Sequence, residues 1–241
     1  MRWLALQQEM CRFVVTPNLD HLVQLRTNDQ LARAYREADM VVADGMPLVW
    51  ISRLLGTPLP ERVSGPTLAY SILDQVARSD GFTICLLGGR SGVAQDAARA
   101  MTRLWPRIRN VHAITPCEGF SYRHETNEVV LEKVNAARPD LLMIGLGAPT
   151  QEEWAHASRW RLNAKVILCV GNTIDILAGH QPRAPAWMQR AGLEFAHRLL
   201  LEPRRLWKRY LVDALHFPLI LIDSVLRHAF RKAKSSRASS L

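Results

Sequence analysis

An α/β fold, a mostly parallel sheet with helices on both faces, is predicted by three features of the 241-residue sequence. Short apolar, β-branched runs alternate with segments of helical period. The runs are nearly continuously apolar, as in strands covered on both sides. Small or polar residues follow one run after another, the usual chemistry of strand-to-helix loops. With 48% hydrophobic and 22% charged residues, the chain has the balance of a folded protein rather than a disordered one.

Taken in order, 12–15 is the first candidate strand, and Thr16-Pro17-Asn18 stops it before an amphipathic stretch over 19–38. Residues 40–43 form a second run, closed by Asp44-Gly45. A helical pattern over 67–79 leads to the run 82–87, after which Gly88-Gly89-Arg90-Ser91-Gly92 opens a helix over 92–105. Residues 111–114 follow, then a helix over 126–137. The run 140–145 ends in Leu146-Gly147-Ala148-Pro149-Thr150-Gln151-Glu152, and 165–170 ends in Gly171-Asn172-Thr173-Ile174-Asp175. Open parallel sheets bind ligands beyond the carboxyl ends of their strands, so five polar strand ends suit one shared site. Ordinary turn chemistry explains any one of them equally well.

Charge divides the chain. Residues 1–182 hold 19 Lys/Arg against 18 Asp/Glu, whereas 183–241 hold 12 against 4. The expected organisation is therefore an α/β catalytic domain over 1–182 and a basic helical appendage over 183–241. Such a tail seeks an anionic partner. Cys11, Cys85, Cys117 and Cys169 lie far apart without a CxxC pair, which excludes a zinc ribbon or a disulfide-stapled module and favours a reducing compartment. Residues 1–8 carry too few apolar side chains before Glu9 to be a signal peptide.

The loops narrow the chemistry. Gly88 and Gly89 at a strand-to-helix junction let backbone approach a phosphate, with the helix N-terminus favouring its charge. The segment matches neither GxxxxGK[ST] nor a clean GxGxxG, so P-loop and dinucleotide assignments are weak, while a nucleotide diphosphate remains compatible with it. Gly147 offers a second close approach, with Gln151 and Glu152 placed to bind ribose or sugar hydroxyls; a merely polar first helical turn reads the same way. Asp44 ends an apolar strand, so its carboxylate is either a general base facing a cleft or, the commoner fate of Asp before Gly, an Asx-turn or cap. No DxD, HExxH or Cys/His cluster offers a metal site.

In order, Thr16-Pro17-Asn18, Ala43-Asp44-Gly45, Glu61-Arg62-Val63-Ser64-Gly65, Leu87-Gly88-Gly89, Gly145 through Glu152, Gly171 through Asp175 with Ala178-Gly179, Arg183-Ala184-Pro185 and Glu202-Pro203-Arg204-Arg205 resemble the TagA/WecG/CpsF family of bacterial glycosyltransferases, glycosyltransferase family 26. The resemblance runs from about residue 12 to 217. It implies a Rossmann-like sheet and inverting, metal-independent transfer of a sugar from a UDP-sugar to a polyprenyl-diphosphate-linked saccharide. The sugar is of N-acetylmannosamine, N-acetylmannosaminuronic acid or glucose type, and the products are teichoic-acid linkage units, enterobacterial common antigen or exopolysaccharide. It also implies a cytoplasmic enzyme, peripheral on the inner face of the membrane, with no cofactor. Carried over by position, Asp44 is the base with Thr16 and Asn18 beside it, and Arg62, Gln151 and Asp175 surround the donor. Asn172 departs from the pattern, standing where the family usually has a second glycine.

Beyond Arg183, basic residues interleave with large apolar ones: Arg198, Arg204, Arg205, Lys208 and Arg209 with Leu199, Leu200, Leu206, Trp207, Tyr210 and Leu211. Past Pro218, Leu219, Ile222, Leu226 and Ala229 share a helical face. The longest uncharged run, 214–222, is far short of the ~20 residues that span a bilayer, so the tail reads as an interfacial element. Membrane docking with diphosphate capture by Arg183, Arg198, Arg205, Lys208 and Arg209 is expected. A solvated basic face is the plainer alternative. No groove-reading or base-stacking motif supports a nucleic-acid partner. Residues 235–241 are expected to be disordered. A nucleotide-dependent oxidoreductase and a non-catalytic nucleotide-sugar-binding protein are the competing functions; the missing GxGxxG opposes the first and Asp44 the second. The donor, the acceptor and homo-oligomerisation stay open.

Overall fold

Apolar runs too short for helices and rich in Val, Ile and Leu become the central strands here because each is buried on both faces, whereas the edge strands stay partly exposed. The structure, a computed structural model, describes residues 11–79, 81–108, 110–117, 120 and 125–238. Residues 1–8, read above as no signal peptide, lie outside them. The chain divides into two units. One comprises residues 1–16, 29–42 and 64–183; the other comprises 17–28, 43–63 and 184–241.

The first unit is a sheet of six strands among the described residues: β1 (Arg12–Val15), β2 (Met40–Val41), β3 (Thr83–Gly88), β4 (Asn110–Ile114), β5 (Leu141–Gly145) and β6 (Val166–Cys169). Their order is β2-β1-β6-β5-β3-β4, and every neighbouring pair is parallel. Side chains alternate between faces along each strand. Ile84, Leu86, Leu141, Met143, Val166 and Leu168 face one layer, covered by α4 (Gly65–Val76), α5 (Val93–Leu104) and α8 (Thr173–Leu177). Cys85, Leu87, Leu142, Ile144, Ile167 and Cys169 face the other, covered by α2 (Asp29–Glu37), α6 (Thr126–Ala137) and α7 (Thr150–Ser158). The result is an α/β sheet clothed on both faces, as the strand pattern predicts. Burial pushes the Cys11 and Cys85 thiols up to about 12 and Cys169 well above its ordinary value, so these cysteines are inert packing groups. Arg159, almost wholly buried, donates to Asp39 Oδ2 at 2.8 Å and to the Glu37 carbonyl at 2.8 Å, tying the end of α7 to the turn before β2.

The second unit holds α1 (Leu19–Gln24), α3 (Met46–Leu54), α9 (Ala186–Ala191), α10 (Glu194–Leu201) and α11 (Pro203–Ala238). α11 runs 36 residues straight through Pro218 and packs on α1 and α3. Its buried positions, Leu206, Asp213 and Ile220, recur every seven residues and define its inner seam.

Three expectations change. The stretch 19–38 is two helices, interrupted at Thr27-Asn28, because the two halves belong to different units. The basic tail is no separate appendage: it shares its unit with 17–28 and 43–63, and α11 packs on α1 and α3. Residues 235–238, expected to be disordered, continue α11 as helix.

Candidate active site

In the sheet unit β1 leads outward to β2 and β3 outward to β4, so the chain's direction reverses across the central strands, where open parallel sheets bind ligands. Backbone fills much of that edge. A Cβ on Gly88 would sit 2.7 Å from the Gly145 carbonyl, and one on Gly145 would sit 2.6 Å from the Gly171 oxygen and 2.9 Å from Ile174 Cδ1. The Gly89 N–H donates to the Gly145 oxygen at 3.3 Å. Gly88, Gly89 and Gly145 thus let three strand ends close on each other. Gly147 differs, with φ +78° and open space where a Cβ would be.

Gln151 and Glu152 point inward. Gln151 Nε2 donates to Glu152 Oε1 at 2.7 Å, and the Gly171 N–H donates to Gln151 Oε1 at 3.1 Å, so the pair fastens the start of α7 to the loop after β6. Glu152 is fully buried. Asn172 has φ −72°, so its loop asks for no left-handed backbone there, and its Nδ2 donates to Gln181 Oε1 at 2.8 Å. Asp175 Oδ1 lies 3.7 Å from the guanidinium of the largely exposed Arg90. Thr16 is buried and its hydroxyl donates to the Cys169 carbonyl at 3.1 Å.

Arg183 belongs to the sheet unit rather than to the tail. Its Nη2 donates to Thr67 Oγ1 at 3.0 Å, its guanidinium lies 5.0 Å from the Tyr70 ring centroid, and its Nε has no hydrogen-bond partner among the described residues. A cation therefore stands at the N-terminal turn of α4, which contains no acidic residue. Both the helix dipole and the arginine favour an anion at that place.

The second unit carries the other cluster. Asn18 caps α1: its Oδ1 accepts from the His21 N–H at 3.4 Å, and the Asn18 N–H donates to His21 Nδ1 at 3.2 Å. The Asp44 N–H donates to the Pro17 carbonyl at 2.7 Å. Gly45, at φ 145°, forms the N-cap of α3 without a side-chain cap bond. Asp44, largely buried, has its Oδ1 4.0 Å from Arg62 Nη1. Arg62 in turn donates to Glu194 Oε2 at 3.0 Å and Oε1 at 3.3 Å, and to the Gln189 carbonyl at 2.8 Å. Arg62 is thus held between two carboxylates. Sequence reasoning missed Glu194 and Gln189 because they lie far along the chain; the one available signal was an acid in a strongly basic segment.

The remaining basic residues fall into two sets. Arg209 faces inward, 3.8 Å from Asp20 Oδ2, and Arg198 lies close enough to the buried Tyr210 hydroxyl to oppose the upward push of burial on it. Arg205 is exposed and paired with Glu202, and Lys208 is exposed over the Trp207 ring at 5.6 Å. Along α11, Trp207, Leu211, Leu215, Leu219, Ile222 and Leu226 are each about half or more exposed. Their spacing of three or four residues puts them on one face. Among the described residues no helix is long and apolar enough to cross a membrane, and no group of three or more His, Cys, Asp or Glu side chains is arranged to hold a metal ion.

A model of the Glycosyl transferase WecG/TagA/CpsF family matches residues 1–233. A Bacillus spizizenii protein described as an N-acetylglucosaminyldiphosphoundecaprenol N-acetyl-beta-D-mannosaminyltransferase is 29% identical over 231 residues, covering 95% of this chain and 84% of its own. A Staphylococcus aureus protein of the same description is 28% identical over 197 residues, covering 82% of this chain and 73% of its own.

Proposed function

Because the chain belongs to the glycosyl transferase WecG/TagA/CpsF family, we propose that it transfers an N-acetylmannosamine-type sugar from a UDP-sugar to a polyprenyl-diphosphate-linked saccharide. The activity by which the two relatives are described supports that donor sugar and that lipid-linked acceptor. The observation that carries the chemistry is Asp44, a largely buried carboxylate ending a strand-derived loop, with a guanidinium 4.0 Å away.

In this reading the acceptor hydroxyl oxygen attacks the anomeric carbon from the side opposite the leaving group. The new C–O bond forms as the bond to the UDP oxygen breaks, and configuration inverts. Asp44 takes the hydroxyl proton, and the electron pair leaves on the diphosphate. Within the sheet unit, Arg183 beside the N-terminus of α4 is the place that suits an anion such as a diphosphate. Charge held this way needs no metal, so activity is expected to be metal-independent. Asp175 and the open side of Gly147 suit contacts with the donor's hydroxyls. Gly88, Gly89, Gln151 and Glu152 serve by shaping the loops rather than by touching the sugar.

The apolar stripe of α11 lies flat in the headgroup region of the cytoplasmic face, where the lipid-linked acceptor resides. Arg204, Arg205 and Lys208 add electrostatic attraction of about 1 kcal/mol each to anionic lipid. The test is a panel of radiolabelled UDP-sugars offered to the purified protein with an N-acetylglucosaminyl-diphosphate-polyprenol acceptor in vesicles. Labelled lipid from UDP-N-acetylmannosamine alone is the expected result. Transfer from another sugar, or none from any, overturns the assignment.

A further inference from the structure

Arg62 is shared. Its two terminal nitrogens both reach the Glu194 carboxylate, at 3.0 and 3.3 Å, and Nη2 also holds the Gln189 carbonyl at 2.8 Å. Only after those bonds does Nη1 come within 4.0 Å of Asp44 Oδ1. All three charged side chains are largely buried, at 11% exposure for Arg62, 16% for Asp44 and 13% for Glu194. Little water is therefore present to damp their mutual interaction.

We propose that Glu194 is a positioning residue that occupies the Arg62 fork and so keeps Asp44 a competent base. The inference rests on the reading of Asp44 as the base. A guanidinium paired directly and bidentately with Asp44 would hold its lone pairs and lower its proton affinity. With Glu194 absorbing the fork, Arg62 stays 4.0 Å away, near enough to orient the carboxylate and too far to bond it. Two features support the arrangement. Gln189, at the end of α9, and Glu194, at the start of α10, grip the guanidinium from the two sides of the turn at Gly192, so the fork is fixed by backbone as well as by charge. That turn itself is closely packed: a Cβ on Gly192 would fall 2.1 Å from Met46 Cγ, immediately after the Asp44-Gly45 loop.

Glu194→Gln tests this, since it removes the charge and keeps the size and one acceptor for Arg62. Arg62 then turns toward Asp44, so the base weakens. The expected result is a kcat reduced about tenfold or more with an unchanged KM for the donor. The acid limb of the kcat–pH profile should move to lower pH by about one unit, the equivalent of a tenfold change in proton affinity. Arg62→Gln provides the second arm: combined with Glu194→Gln it should show no shift of the limb, because the guanidinium through which Glu194 acts is gone. Unchanged melting temperatures establish that the variants fold; if Glu194→Gln melts early, Glu194→Asp must restore the profile. A Glu194→Gln profile superimposable on the wild type, or a shift that persists without Arg62, overturns the inference. If Asp44→Asn is itself fully active, the base reading has failed instead, and the two failures are told apart.

Discussion

Replacing Gly145 by alanine should destabilise the sheet unit without touching any ligand. The added methyl would lie 2.6 Å from the Gly171 carbonyl oxygen and 2.9 Å from Ile174 Cδ1. One neighbour is backbone and cannot rotate aside. β5 itself is pinned on both sides, with Leu141, Leu142, Met143 and Ile144 paired to β3 and to β6. Overpacking of this kind costs about 1–3 kcal/mol, and the backbone clash places Gly145→Ala near the top of that range. For a chain of this size each kcal/mol moves Tm by about 2–4 °C, so a fall of roughly 6–12 °C is expected. Gly147→Ala is the control: its Cβ meets nothing within 4 Å, leaving only the strain of φ +78°, roughly 1–2 kcal/mol. Thermal melts followed by circular dichroism decide the matter, with UDP binding measured by calorimetry below both transitions. Gly145→Ala should melt lower and bind UDP normally, whereas Gly147→Ala should melt higher than Gly145→Ala and bind UDP more weakly. If Gly145→Ala melts with the wild type, the close packing of strand ends is not what the glycine is for.

Three further outcomes follow from the same residues. Transfer should persist in excess EDTA if, as proposed, the leaving diphosphate is held by arginine and helix dipole rather than by metal; loss of activity restored by Mg²⁺ or Mn²⁺ would contradict this. Replacing Leu215 and Leu219 by serine should weaken binding to vesicles containing anionic lipid by about a hundredfold or more, since each of these exposed leucines contributes roughly 1.5–3 kcal/mol on entering lipid, and unchanged sedimentation with vesicles would remove α11 from the membrane. Burial, with Asp20 adding to it, raises the Asp213 carboxyl to about 6 against the opposing pull of Arg209, His21 and His216. A carboxyl raised on folding stabilises below its unfolded value and loses that contribution as pH rises through the folded one. Wild-type stability should therefore fall between about pH 4 and 6, and Asp213→Asn should abolish that fall; parallel profiles would refute it.

The central strands β1, β6, β5 and β3 were legible because each is a short, doubly buried apolar run, and burial on both faces is written in composition alone. Edges read less well: 40–43 shortens to Met40–Val41, although the Val42 N–H still donates to the Val15 carbonyl. The packing at the glycines was not legible: Gly88 and Gly145 have each other's backbone as neighbours, and no local pattern encodes which strand lies alongside. The place of Asp44 just after a strand was legible. The surroundings of Arg62 were not, since Glu194 meets it across 132 residues. Charge arithmetic located the basic helices correctly and missed that α1 and α3 pack with them, because packing follows apolar faces rather than net charge. For that reason point changes on α11 test membrane docking more cleanly than deletion of 184–241, which would strip the cover from α1 and α3.

The central claim is that Asp44 is the base, and Asp44→Asn measures it most directly. Single-turnover transfer from UDP-N-acetylmannosamine to the lipid-linked acceptor should fall about 10²–10⁴-fold, the usual contribution of a general base, while UDP affinity stays within about twofold of the wild type. Near-normal turnover by Asp44→Asn, or a loss explained entirely by weaker UDP binding, would contradict the account.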